Sequence, residues 1–84
     1  IAKEEHFEIK PNPVIRDFRI SPSIDAGLEG YFNLQIFNSN GKIVFKEINY
    51  MIDQYINCSE LTSGIYAITL SQNSKQWYGK LIKL

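Results

Sequence analysis

Apolar residues recur at every second position in several segments of this chain, and that pattern limits the fold more than any other feature. In the stretch YFNLQIFN, Phe32, Leu34 and Ile36 alternate with amide side chains. This alternation places three large apolar groups on one face of a strand. No window of a dozen residues keeps helical spacing of apolar side chains without meeting a cluster of Gly, Pro or Asn. The sequence therefore predicts a chain built from β-strands.

Two β-hairpins are predicted from the turn residues between alternating segments. Asn40 and Gly41 tolerate the left-handed backbone of a tight turn, so NSNGKIVF indicates a hairpin that joins the first strand to residues 42–48. The run GIYAITL, residues 64–70, alternates in the same way. The polar cluster SQNSK separates it from QWYGKLIKL, which predicts a second hairpin whose last strand runs to the final residue.

The remaining segments alternate less regularly. In VIRDFRI, Val14, Phe18 and Ile20 share one side, but Arg16 interrupts that face. YMIDQYINCSEL is compatible with a strand followed by a turn or with a short helical turn near residues 59–61, and HFEIK offers a brief edge strand. Six or seven short strands with turn signals roughly every 8 to 12 residues predict an antiparallel β-sandwich, with a small open barrel as the alternative.

Composition and charge narrow the function classes. The 84 residues are 44% hydrophobic, enough for one small core. Nine basic and nine acidic residues cancel, which gives no electrostatic preference for nucleic acid or an anionic membrane. No apolar run approaches the roughly 20 residues that span a bilayer. The single cysteine, Cys58, cannot form an internal disulfide, and we expect it to be a small buried apolar residue.

Side chains suited to catalysis or metal binding are scarce. The single histidine, His6, lies near the N-terminus without an identifiable Ser or Cys partner, so an exposed terminal histidine is the favoured interpretation. His6, Cys58 and Glu4 or Glu5 are too scattered for a recognised metal-ligand spacing. No Gly-rich loop meets a helix, as phosphate binding would require. We therefore predict a protein that is not an enzyme, with no catalytic residues, metal or cofactor.

Three pieces of the chain resemble a known family. KPNPV near the start, IFNSNGKIV in the middle, and LTSGIYAITL followed by the terminal GKLIKL are similar to the C-terminal sorting domain of the type IX secretion system of Bacteroidetes. Each piece alone is common in β-proteins, so the resemblance depends on their order and spacing. It implies an immunoglobulin-like sandwich of about seven strands. It also implies a sorting domain over residues 11–84, with residues 1–10 as a linker remnant or edge strand.

The resemblance carries expectations about function. In that family the domain is the last part of a larger cargo protein, which folds in the periplasm and passes the outer membrane because a translocon recognises the domain. In most members a sortase-like peptidase then removes it, and the cargo is attached to anionic lipopolysaccharide or released. The implied partners are the translocon, the peptidase and a fused N-terminal cargo domain. A homodimer is left open, and the expected location is the periplasm in transit, then the cell surface or the medium.

The family motifs map onto nine candidate recognition residues. These are Pro11, Asn12 and Pro13 of the opening motif, Gly41 and Lys42 of the hairpin motif, Gly64 and Tyr66 of the Gly-x-Tyr motif, and Lys80 and Lys83 of the terminal motif. Each proline fixes φ and removes an amide donor. This favours a structural role, a rigid, extended lead-in that stops the sheet from growing, rather than direct contact with a receptor.

The other motif residues also have structural interpretations. Gly64 is expected to permit a turn or a close backbone approach, and Tyr66 to pack in the core with its hydroxyl at the edge. Lys80 and Lys83 are three residues apart, so on a regular strand they face opposite sides and at least one points outward. An outward lysine would discourage unwanted strand pairing, and this role competes closely with recognition.

Two other functions remain open at this stage. One is an immunoglobulin-like or fibronectin-like module for carbohydrate binding or adhesion. Its predicted aromatic patch comprises Tyr31, Phe37, Tyr50, Tyr55 and Trp77. The other is a family variant that stays uncleaved at the cell surface as part of the secretion machinery.

Overall fold

A computed structural model describes residues 7–21 and 30–84. His6, Glu4 and Glu5, considered above as functional groups, lie outside the described residues. Seven strands occur in the described part: β1 (Glu8–Lys10), β2 (Asp17–Ser21), β3 (Tyr31–Phe37), β4 (Ile43–Met51), β5 (Tyr55–Asn57), β6 (Gly64–Gln72) and β7 (Lys75–Lys83).

The strands form two antiparallel sheets with a shared core. One sheet has the order β1-β2-β5 and the other the order β4-β3-β6-β7. Alternate residues of both sheets point inward, and Phe32, Leu34 and Ile36 of β3 are at most 1% exposed. The predicted all-β sandwich is confirmed, because the period-two pattern gives each strand one apolar face that only a second layer can cover. The likeness to the immunoglobulin fold in particular stays a prediction.

Both predicted hairpins are present. Ile36 of β3 lies opposite Phe45 of β4, and Leu70 of β6 lies opposite Trp77 of β7. The strands differ from the prediction only at their ends: β4 runs from Ile43 to Met51, and β7 ends at Lys83.

The less regular segments also take defined forms. β2 begins at Asp17, so exposed Arg16 precedes the strand and does not interrupt its buried face. The ambiguous segment forms the short strand β5 followed by a turn, in which the Leu61 amide donates to the Cys58 carbonyl at 3.0 Å. Cys58 is buried as predicted, and burial raises the pKa of its thiol.

Tyr50 connects the two sheets through its hydroxyl group. Its side chain is fully buried, its hydroxyl donates to the Gln54 carbonyl at 2.8 Å, and the Ile20 amide donates to it at 2.9 Å. Burial also raises the pKa of this phenol. The hydroxyl is thus fully used inside the fold. No helix among the described residues is long and apolar enough to cross a membrane.

Candidate functional site

The opening motif docks against the outer edge of β7, the last strand of the larger sheet. Asn12 Nδ2 donates to the Lys80 carbonyl at 2.8 Å, and the Ile82 amide donates to Asn12 Oδ1 at 2.9 Å. β6 occupies the other side of β7, so these two backbone groups face away from the sheet. The amide of Asn12 therefore takes the place that a neighbouring strand would occupy.

Val14 extends this contact by two further backbone hydrogen bonds. Its amide donates to the Ile82 carbonyl at 2.8 Å, and the Leu84 amide donates to its carbonyl at 2.9 Å. The Val14 side chain is fully buried, which anchors the segment in the core. Exposed Pro11 and Pro13 flank Asn12, and neither has an amide hydrogen that could pair with a further strand.

The docked motif agrees with the expected lead-in that stops the sheet from growing, but not with an extended path. Residues 11–13 form bends, and the next strand starts only at Asp17. The expectation of an extended lead-in is therefore wrong, since the chain bends at residues 11–13 and contacts β7 through the Asn12 side chain and a single backbone bridge at Val14.

The hairpin motif is organised by Asn38, a residue that the sequence analysis missed. Its Oδ1 accepts hydrogen bonds from the amides of Asn40 and Lys42 at 2.9 and 3.0 Å, and its carbonyl accepts from the Gly41 amide at 2.9 Å. Gly41 has a φ of 83°, whereas Asn40 is not left-handed. The prediction for Asn40 is wrong because the loop is longer than a two-residue turn. An Asn at the start of the turn was the available signal.

Tyr66 has the position that the sequence predicts. The side chain is 7% exposed, and its hydroxyl donates to the Thr62 carbonyl at 2.6 Å, with Thr62 Oγ1 at 3.2 Å. A buried ring with its hydroxyl tied to backbone just upstream fixes the start of β6.

Of the two roles expected for Gly64, a turn conformation or a close backbone approach, the structure supports the first, because its φ of 157° is one that residues with a Cβ rarely adopt. A close approach occurs instead at Gly79. A Cβ at Gly64 would meet the Tyr66 ring at 3.9 Å, an ordinary contact. A Cβ at Gly79 would lie 2.5 and 2.8 Å from two ring atoms of buried Phe7. No pattern in the sequence indicates the contact at Gly79, because Phe7 lies far away along the chain and no local signal links the two residues.

The two terminal lysines lie on opposite faces of β7. Lys80 is exposed on the outer face, whereas Lys83 is 8% exposed and points between the sheets. Lys83 Nζ donates to the Leu84 carbonyl at 3.1 Å. Lys83 also lies close enough to Cys58 for its charge to oppose the rise in the thiol pKa that burial causes. Of these two lysines, only Lys80 is therefore accessible to a partner.

Residues from all four motifs meet at one end of the larger sheet. A groove of about 570 Å³ is lined by Gly41, Tyr66, Gly79 and Lys80, together with residues of the β3–β4 turn. Asn12 joins this region through its hydrogen bond to the Lys80 carbonyl. Segments that are far apart in the sequence therefore form one surface region, which we call the motif groove.

A family model for the secretion system C-terminal sorting domain matches residues 8–84. The chain belongs to this family. The matched region includes all seven strands and all nine candidate residues. Membership implies export to the cell surface or the medium, an interaction with the type IX secretion system, and a fused N-terminal cargo region. No curated protein matches the chain.

The aromatic patch predicted for a glycan-binding module does not exist in the sorting domain. Tyr50 is fully buried, and Trp77 is 3% exposed with its ring edge-to-face against Phe32 at 5.5 Å. Exposed Tyr31 and Tyr55 belong to different sheets. The prediction is wrong because Tyr50 and Trp77 fall on the inward-facing positions of their strands, where the rings fill the core.

Proposed function

We propose that this sorting domain directs a larger cargo protein from the periplasm through the outer membrane by the type IX secretion system. A sortase-like peptidase then removes the domain, and the cargo is attached to anionic lipopolysaccharide or released. The domain is a substrate in these steps and not an enzyme. The family match over residues 8–84 is the observation that carries the proposal.

The geometry of the motif groove supports a recognition role for the motifs. Asn12 and Val14 fix the outer edge of β7, and this contact holds the terminal motif in a defined position beside the hairpin turn. A translocon that binds this region would distinguish the folded domain from an unfolded chain, because the motifs come together only after folding.

A reporter fusion tests the proposal directly. Residues 1–84 are fused to the C-terminus of a periplasmic reporter in a bacterium with an active type IX system, beside the reporter alone and the same fusion in a strain without the translocon. We expect the reporter at the surface or in the medium only for the fusion in the competent strain. Retention in the periplasm, as for the reporter alone, would contradict the proposal.

The mass of the exported reporter tests the later steps. We expect a product that lacks the domain, and a product that keeps it in a strain without the sortase-like peptidase. An exported fusion of full mass in both strains would argue for a retained surface component instead. A heterogeneous, slowly migrating product that depends on lipopolysaccharide synthesis would support attachment.

Loss of export in a terminal deletion would not separate recognition from folding. Removing residues 80–84 also removes Leu81, which is fully buried. The substitution Lys80→Ala keeps the backbone hydrogen bond from Asn12 and removes only an exposed side chain. Lys10→Ala, at an exposed lysine of β1 in the other sheet, is its matched control.

A further inference from the structure

The two sheets differ in how their charges are neutralised. On the smaller sheet, Lys10 Nζ lies 3.5 Å from Glu8, and Arg19 donates to a carboxylate oxygen of Asp53. The cations of these strands therefore have acidic neighbours. Such exposed pairs add little stability, but they leave this side of the molecule close to neutral.

The larger sheet is basic. Its four strands and the β3–β4 turn carry five lysines against one carboxylate, Glu47. The lysines are Lys42, Lys46, Lys75, Lys80 and Lys83. Lys75 and Lys83 share the inward-facing side of β7, where Lys83 is buried and Lys75, at the end of the strand, is exposed. Lys42, Lys46 and Lys80 are also exposed, and none of the five forms an ion pair with a carboxylate in residues 7–21 or 30–84. The charges of the exposed lysines are therefore available to an external partner.

The outer face of the larger sheet also carries an aligned apolar patch. Ile43, Phe37, Ala67 and Lys80 are cross-strand partners in one row over all four strands. Ile65 and Ile82 form the adjacent row, shared by β6 and β7. Directly paired residues lie on the same face of a sheet, so this row of apolar groups ends at a lysine. Ile43 is 41% and Ile65 56% exposed.

Contact with the opening motif holds one side of this patch in place. Asn12 bonds to the Lys80 carbonyl and the Ile82 amide, the backbone groups of the two β7 residues that take part in the rows. Lys80 and Ile82 are thereby kept in register with Ala67 and Ile65. The β7 side of the patch is therefore held by contacts inside the folded domain, which lowers the conformational entropy lost on binding.

We propose that the outer face of the larger sheet docks a protein surface with an apolar centre and carboxylates at its rim. This proposal rests on the proposed function and identifies the face through which the translocon binds the sorting domain. An apolar centre surrounded by charge is the usual anatomy of a protein interface. Because the lysines are unpaired and positive, we expect negative charge at the rim of the partner surface. A second copy bound through the same face would bring lysines toward lysines, which disfavours a symmetric dimer.

Two pairs of variants in the reporter fusion test the docking face. The first pair compares Lys42→Glu/Lys80→Glu with Lys10→Glu on the opposite sheet. The second compares Ile65→Thr with Tyr55→Thr, at 56% and 64% exposed strand positions on opposite sheets. Thr is β-branched and favours strands, so the fold is expected to survive in both variants. Thermal unfolding of each fusion checks this point.

We expect both changes on the larger sheet to lower export at least about tenfold, as a loss of about 1.4 kcal/mol of binding free energy would. Both controls should stay within about twofold, because the contacts that Lys10 and Tyr55 make on the smaller sheet are exposed and contribute little. If the unmodified fusion is exported and the variants of the larger sheet match their controls, the docking face is wrong and the sorting function stands. If the unmodified fusion is not exported, the sorting function itself fails.

Two further outcomes would overturn the choice of partner. Loss of export with the charge changes but not with Ile65→Thr would indicate an anionic polysaccharide or lipid, which needs the lysines and not the apolar centre. A cross-linked dimer of the unmodified fusion that disappears in Ile65→Thr would indicate a second copy of the chain.

Discussion

The outer edge of β7 is closed by a distant segment, whereas the outer edge of β4, at the other side of the same sheet, is irregular within itself. At β7, Asn12 bonds to residues 68 and 70 positions away along the chain. At β4, the pairing with β3 shifts register twice, and Asn49 takes a φ of 60°. Bulges and an edge lysine such as Lys46 discourage strand addition without help from another segment.

The two edges also differ in which parts of the sequence define them. The β4 edge is defined by residues close together in sequence, so it can form with its hairpin. The β7 edge is complete only when the opening motif has docked, so the opening motif and the terminal motif depend on each other. The bulges of β4 also make that edge a poor template for an added strand, which is why we assign partner binding to the outer face and not to this edge.

Gly79→Ala belongs with the largest expected effects on stability, because it drives a methyl group into the Phe7 ring beneath β7. We expect a loss of about 1–3 kcal/mol in the free energy of unfolding, the usual cost of overpacking a core. Chemical denaturation measures it. In the Phe7→Ala background the same change should cost much less. Equal costs in both backgrounds would show that the two residues do not meet.

Asn12→Ala tests the closure of the β7 edge. Two hydrogen bonds are lost, each worth about 0.5–1.5 kcal/mol, so the free energy of unfolding should fall by about 1–3 kcal/mol. Asn12→Asp keeps the acceptor for the Ile82 amide but sets a carboxylate oxygen against the Lys80 carbonyl oxygen, so it should recover little of the stability that Asn12→Ala loses. Asn33→Ala, at an exposed asparagine of β3, should change stability by less than about 0.5 kcal/mol. If Asn12→Ala and Asn33→Ala lowered the free energy of unfolding equally, the β7 edge would not depend on Asn12, and its difference from the β4 edge would be lost.

Asn49→Val tests the local geometry of the β4 edge. A β-branched residue is strained at a φ of 60°, so we expect a loss of about 1–2 kcal/mol in the same measurement. Asn49→Gly should be close to neutral, because glycine adopts this conformation freely. A neutral Asn49→Val would mean that the strand is regular at this point.

Alkaline pH is expected to give the smallest effect, through Cys58 beside Lys83. Burial raises the pKa of the Cys58 thiol in the folded state, so the unfolded state loses its proton first. The free energy of unfolding should therefore fall as pH rises from the ordinary thiol pKa, about 8.5, toward the folded value. The buried Tyr50 phenol adds a similar fall at higher pH. Denaturation of Cys58→Ala should show a shallower fall between pH 8 and 10, and an unchanged slope would contradict the assignment.

The sequence predicts what depends on neighbouring residues. β3, β4 and the sandwich can be identified from the alternation at Phe32, Leu34 and Ile36 and from the turn at Gly41. Burial of one face of a strand leaves a pattern among residues that are close together in the sequence. The contact between Asn12 and Lys80 and the fit of Gly79 against Phe7 depend on how distant segments pack, and neither leaves a periodic signal. The motifs could be found in the sequence, but their common location could not.

Amide hydrogen exchange of Ile82 and Leu84 in the folded chain tests the central claim most directly. Both amides point away from β6, and their acceptors are Asn12 Oδ1 and the Val14 carbonyl. We predict that both exchange slowly, and that Asn12→Ala accelerates the exchange of Ile82 while Asn33→Ala does not. If Ile82 and Leu84 exchange as fast as amides in an unstructured peptide, the opening motif does not close the edge of β7. The claim that the opening and terminal motifs contact each other is then wrong.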